Sequence, residues 1–440
     1  MTMIEDYLHD VLGEVADFDG GSVADYIELL AEADPDPLAA ALCTLDGTVY
    51  SAGLRPGDDE LEFSIQSISK PFVYAQALQE LGADEVIKTV GMEPSGEKFN
   101  ELSLDGDTNR PMNPMINAGA IATTQLINGE DSGVEDRTER IREFLSRLAG
   151  RELAIDRRLV ESEYQSTDRN FALAHMLRNY GVIQAEAQDA VRSYIHQCSI
   201  MVTTRDLAAM AATLANGGRQ PVTRERILDV DVARQTQAVM SSAGMYNAAG
   251  RWMVTVGIPA KSGVAGGVLG TLPGQIGLAA FSPRLDSSGN SFRGVQVFQR
   301  LSRDMGLHLM AAEPRGRSAV RFITDKDDTT VVGLQGDIGF SAAERLWRTI
   351  NRHEGLLERV RLDFTRVEGS NPIGRRMLLE GINRLRDQGH VVEVDDPDDV
   401  IPRARRDNAR FEAMGDTSAE HQLLNQDPHS YDEDFDMGED

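Results

Sequence analysis

Hydrophobic positions recur along this chain in two periods, and the change from one to the other divides it. Ile4, Leu8, Val11, Leu12 and Val15 return every three or four residues, the inner stripe of an amphipathic helix closed by Asp19-Gly20-Gly21. Residues 23–30 predict a short helix ending near Asp34-Pro35. Two apolar runs, 39–45 and 48–52, then flank Asp46-Gly47, a strong hairpin signal. Phe72, Ala75, Leu78 and Leu81 restore the helical period, and Gly82 stops it. From 83 to 110 no period holds, and an irregular segment is expected. Helices follow at 119–127, 137–149, 171–180 and 185–196, with a polar stretch over 161–170. Thr203 and Asp206 form a capping box for the helix 207–215, and residues 230–240 add another. The period then shortens to two: 252–258, 261–267, 268–272 and 276–281 predict strands, before a helix over 295–305. A helical cluster is therefore inserted between an N-terminal hairpin and C-terminal antiparallel strands.

Glu313-Pro314-Arg315-Gly316-Arg317-Ser318 reads as a linker, after which the pattern resets. Strands at 319–324, 330–334, 359–364 and 390–394 alternate with helices at 342–352 and 373–388, the first helix capped by Ser341 and Glu344. That alternation predicts a small α/β domain with at least one βαβ crossover. The expected organisation is 1–312, 318–402 and an acidic, disordered tail over 403–440, whose last stretch, 432–440, cannot bury a core.

Composition narrows the partners. The 440 residues, 41% of them hydrophobic, suffice for two globular domains. A formal net charge of −27 argues against nucleic acid or an anionic membrane surface. Two cysteines, Cys43 and Cys198, sit in apolar runs without metal spacing, so no disulfide framework and no metal are expected, and a reducing cytoplasm fits. The first residues carry no signal-peptide pattern, and no stretch reaches membrane-spanning length.

Candidate chemistry centres on Ser67. Pro71 fits only a first turn, so the helix starts close to Ser67, and Ser67 and Lys70 share one face at i and i+3. A serine hydroxyl becomes a nucleophile when a neighbouring base takes its proton, and an amine serves if its pKa falls toward 7–8, from about 10.4. The helix N-terminus disfavours an ammonium and favours an oxyanion. Lys261-Ser262-Gly263 lies far downstream on a predicted strand, and S-x-x-K followed by K-[ST]-G is the joint pattern of serine β-lactamases and penicillin-binding proteins. Read alone, Tyr26 and Tyr194 are equally core tyrosines, Glu163 is a surface acid, and Asn117 and Asn170 are helix caps.

Longer stretches carry a more specific resemblance. Gln66-Ser67-Ile68-Ser69-Lys70-Pro71, residues 113–121, Asp168-Arg169-Asn170, Cys198-Ser199-Ile200, 211–218, Gly244-Met245-Tyr246 and 259–267 occur in order. In them the chain resembles the serine-dependent glutaminases of the β-lactamase-like fold, over roughly residues 20–305. The resemblance implies hydrolysis of L-glutamine to L-glutamate and ammonia, with no cofactor. It implies Ser67 as nucleophile, Lys70 as its base, Tyr246 as proton shuttle, and the backbone N–H groups of Ser67 and Val264 as oxyanion hole. Tyr26, Gln66, Asn117, Glu163, Asn170 and Tyr194 would hold the substrate's α-amino and α-carboxylate groups. A homo-oligomer, dimer or tetramer, is expected. Residues 362–367, Gly374 and Met377-Leu378-Leu379 resemble a STAS domain, though Pro372-Ile373 stands where regulated members carry a phosphorylatable serine. Two rival readings stand beside glutamine hydrolysis. One is a penicillin-recognising hydrolase, and the other a degenerate catalytic domain whose STAS-like part does the work.

Overall fold

The computed structural model describes residues 2–95, 101–129, 131–311, 319–353 and 355–401. The linker 313–318 and the tail 403–440 lie outside the described residues. A five-stranded antiparallel sheet organises the first part. Its order runs Val49–Gly53, Ala39–Thr44, Ile276–Phe281, Gly267–Leu272, Ala260–Ser262. The predicted hairpin thus pairs with strands more than 200 positions downstream, Ala39 opposite Phe281.

Period-two alternation assigns the faces. Ala40, Leu42, Val268, Leu278 and Ala280 pack with helices Met3–Val15 and Phe292–Met305, while Ala41, Cys43, Leu269 and Ala279 pack under helix Thr204–Ala215. That helix comes unusually close because its partners are small. A Cβ on Gly277 would lie 2.1 Å from the Ala212 backbone nitrogen. Beyond it stand the inserted helices, among them Ser69–Leu81, whose residues from Ser69 to Leu78 are all buried. The expected one-sided stripe is therefore wrong for this helix. It is wrapped on every side, which fits its mixed sequence of small, polar and apolar residues.

In the second part, Thr329–Leu334 lies parallel to Arg359–Asp363, which lies parallel to Val391–Asp395. Helices Phe340–Arg352 and Pro372–Asp387 make the two crossovers, and Val320–Lys326 closes one edge antiparallel. Gly336–Ile338 and Val367–Ser370 form a small parallel pair that the pattern did not signal. The two parts share one hydrophobic cluster. Around it, Tyr50 donates to Glu344 Oε1 at 3.2 Å, Arg384 pairs with Asp6 at 3.0 Å, and Arg376 and Arg348 pair with Asp10 and Asp46.

Several elements differ from expectation. Residues 252–258 are not a strand: Ala249–Thr255 is helical, with Trp252 and Val256 buried at i and i+4 and Val254 78% exposed. The apparent alternation was half of a helical stripe. The segment after Gly82 forms a helix, Ala83–Thr89, that turns in Val86. Arg157–Gln165 is helical because the Asp156 side chain caps it, accepting from the backbone of Arg158 and Leu159. Only Glu28–Ala31 is helical in the 23–30 stretch. Ser341 caps nothing. The helix begins at Phe340, and Glu344 turns inward to meet Tyr50. The capping box of Thr203 and Asp206 forms as read.

Candidate active site

Ser67 sits on a single 3-10 turn, Gln66–Ile68, that feeds the buried helix Ser69–Leu81. Gln66 holds a left-handed φ of 48°, strained for a side-chain-bearing residue. A buried polar chain braces it. Ser69 Oγ donates to the Gln66 carbonyl at 2.7 Å and accepts from Gln197 Nε2 at 2.9 Å. Gln197 Oε1 in turn accepts from Thr124 Oγ1 at 2.8 Å.

Lys70 is buried one turn below Ser67. Its Nζ donates to Asn117 Oδ1 at 2.7 Å and to the Met115 carbonyl at 3.2 Å. Both partners are neutral, so burial dominates and lowers its pKa to about 8. Asn117 reaches Lys70 because its helix, Asn117–Leu126, packs closely on the preceding loop: a Cβ on Gly119 would sit 1.9 Å from the Asn113 carbonyl oxygen. Asn117 also accepts from Tyr194 Oη at 3.4 Å and donates to Asn170 Oδ1 at 3.0 Å, and Asn170 donates to Thr167 Oγ1 at 2.7 Å. Neither asparagine is an N-cap: Ile116 and Thr167 occupy those positions.

Tyr246, also at a left-handed φ of 52°, donates to the Ser262 carbonyl at 3.1 Å; burial raises the pKa of its phenol, and the Ser67 side chain facing it opposes that rise. Lys261 Nζ lies 4.1 Å from the Tyr246 ring centre and donates to the same Ser262 carbonyl at 2.7 Å. Burial first, then the neighbouring Lys70, holds the Lys261 amine well below its ordinary range. Two buried amines thus flank the Ser67–Tyr246 pair. Glu163 Oε2 accepts from Gln66 Nε2 at 3.3 Å, and burial pushes its carboxyl up to about 7 against the opposing pull of Gln66 and Lys70.

One cavity of about 170 Å³ joins these groups, lined by Tyr26, Gln66, Ser67, Asn117, Glu163, Asn170, Tyr194 and Val264. Its size suits a metabolite rather than a drug-sized ligand. Lys70 reaches this lining through its bond to Asn117, and Tyr246 faces an adjoining cavity that shares Tyr26 and Val264 with it. Tyr26 is not a core tyrosine: it stands 55% exposed at the mouth, whereas Tyr194 is buried. Ile27, Ser166, Thr167 and Arg169 also line the cavity and were given no role from sequence. Arg169 lay inside the quoted Asp168-Arg169-Asn170 stretch. Gln197 had one faint signal, a polar residue beside the apolar positions Tyr194, Ile195 and Cys198. Among the described residues, no three His, Cys, Asp or Glu side chains gather in a way that would hold a metal, and no helix is long and apolar enough to cross a membrane.

A buried serine, a buried amine of lowered pKa and an inward carboxylate, beside an antiparallel sheet flanked by helices, are the groups a hydrolase site calls for. The glutaminase family model matches residues 21–310, and the chain belongs to that family. Curated glutaminases from Corynebacterium efficiens and Corynebacterium glutamicum are 58% and 60% identical to it over 399 residues, 91% of this chain and 93% and 95% of theirs. Among solved structures, the crystal structure of Mglu superposes with a TM-score of 0.69 at 48% identity, covering 91% of this chain and 100% of that one. A probable glutaminase from Bacillus subtilis complexed with 6-diazo-5-oxo-L-norleucine gives 0.63 at 30% identity, covering 70% and 98%.

Proposed function

We propose that the chain hydrolyses L-glutamine to L-glutamate and ammonia through an ester on Ser67. Neutral Lys70 takes the Ser67 proton as Oγ attacks the side-chain amide carbon. The backbone N–H groups of Ser67 and Val264 receive the oxyanion, and Tyr246 passes a proton to the departing nitrogen, which leaves as ammonia. Water then adds to the ester, gives up its proton along the same route, and glutamate leaves with Ser67 restored. Ionised Glu163 faces the substrate ammonium. Tyr26, Gln66, Asn117, Asn170 and Tyr194 supply uncharged donors for the α-carboxylate, so that side of the empty site strands no buried cation.

The observation that carries this reading is Ser67 on the wall of a cavity with one inward carboxylate, backed by Lys70, a buried amine held by Asn117 whose pKa is lowered to about 8. The test is ammonia release from L-glutamine by the full chain, beside Ser67→Ala and Lys70→Ala. Turnover lost in both variants is expected, and undiminished turnover in Ser67→Ala would refute the ester. Residues 319–401 serve, on the resemblance noted above, as a STAS-like module for assembly in a cytoplasmic homo-oligomer. Light scattering on the full chain would read a dimer or tetramer.

A further inference from the structure

A second cavity, about 330 Å³, lies where the two parts of the chain meet, remote from Ser67. Four elements wall it: the start of helix Met3–Val15, strand Val49–Gly53 through Tyr50, and helices Phe340–Arg352 and Pro372–Asp387. Its volume falls within the range of small-molecule sites. Met3, Ile4, Met377 and Leu385 give it an apolar floor. Trp347 stiffens one side, since its ring packs on Gly381 so closely that a Cβ there would lie 2.0 Å away.

The charged groups around it are three arginines and one glutamate. Glu344 is satisfied by Tyr50 Oη and by Arg348 at 3.2 Å, and burial favours its neutral form. Arg384 is engaged by Asp6 and Glu380, both at 3.0 Å. Arg352, exposed at the rim, makes no ion pair among the described residues. Of the four charged lining groups, Arg352 is the one left without an ion pair among the described residues. We propose that this cavity binds a small organic anion, its apolar body against Met3, Ile4, Met377 and Leu385 and its carboxylate, phosphate or sulfonate on Arg352. Because both parts of the chain form the walls, an occupant strengthens their docking by mass action.

The probe is 8-anilinonaphthalene-1-sulfonate, an apolar body with one sulfonate whose fluorescence rises when it is shielded from water. Titration into the folded full chain is expected to show one saturable site. Arg352→Glu reverses the rim charge, and Asn351→Trp places a ring over the mouth. Both residues are exposed, so the fold is not at stake. Each variant is expected to weaken binding at least tenfold while glutamine turnover stays at the native value. No saturable site on the native chain, or less than tenfold weakening in either variant, would overturn the proposal. This outcome is independent of the Ser67 chemistry.

Discussion

Lys70→Met exchanges a buried amine for an apolar side chain of similar length, and the structure sets the size of the effect. Folding takes the Lys70 ammonium out of water and lowers its pKa from 10.5 to about 8. At about 1.4 kcal/mol per pH unit, that gap corresponds to roughly 3 kcal/mol of lost stability whenever both states are protonated. Methionine removes this penalty but leaves the Met115 carbonyl without its donor and Asn117 Oδ1 with only the longer bond from Tyr194 Oη, an offset of about 1–3 kcal/mol. The pH dependence separates the two terms. Between pH 8 and 10.5 the unfolded lysine holds its proton and the folded one has released it, so native stability rises across that window. The methionine variant has no such rise. Its stability relative to native is therefore highest below pH 8 and falls by roughly 3 kcal/mol by pH 10.5. Denaturant unfolding of both proteins at pH 7, 8.5 and 10 measures this, and the variant releases no ammonia from glutamine. A stability difference that stays constant from pH 7 to 10 would refute the reasoning.

Glu163→Gln is expected to raise KM for glutamine more than tenfold with kcat within threefold. In the native protein KM falls as pH rises through about 7, because the substrate ammonium needs the ionised carboxylate; the variant's KM stays flat from pH 6 to 8. A native KM without that inflection would remove Glu163 from ammonium recognition. Ser69→Ala and Gln197→Leu each cut the brace on the left-handed Gln66, so kcat drops roughly 10–100-fold with KM and the pH profile unmoved. Variants that melt earlier yet keep native kcat would make the brace merely structural.

The sequence reading succeeded where a single physical rule dominates. Asp46-Gly47 marked its hairpin, and Thr203 with Asp206 marked its cap, because turn and cap chemistry is local. Eight of the ten named site residues line one cavity, although they come from stretches scattered between positions 26 and 264. No periodicity could have joined them; only the resemblance did. What stayed hidden depends on partners distant in sequence. The stretch 252–258 reads as a strand until the core decides that Trp252 and Val256 face inward together. Glu344 reads as a capping residue until Tyr50, 294 positions away, draws it inside. Gln197 is an ordinary helix residue until Ser69 and Thr124 arrive on either side.

The enclosure of helix Ser69–Leu81 has a consequence for how the chain acquires activity. Its surroundings come from Asn117–Leu126, from Val134–Ala149 and from Val230–Ala243, so no early, local cluster can assemble the site. A partly folded chain holds Ser67 on an unsupported turn, with Lys70 in water at its ordinary basicity and unable to take a proton near neutrality. Ammonia release during refolding therefore times the arrival of the last packing contacts. Fluorescence of Trp252 and Trp347, which are buried in the shared core, times the burial of that core for comparison.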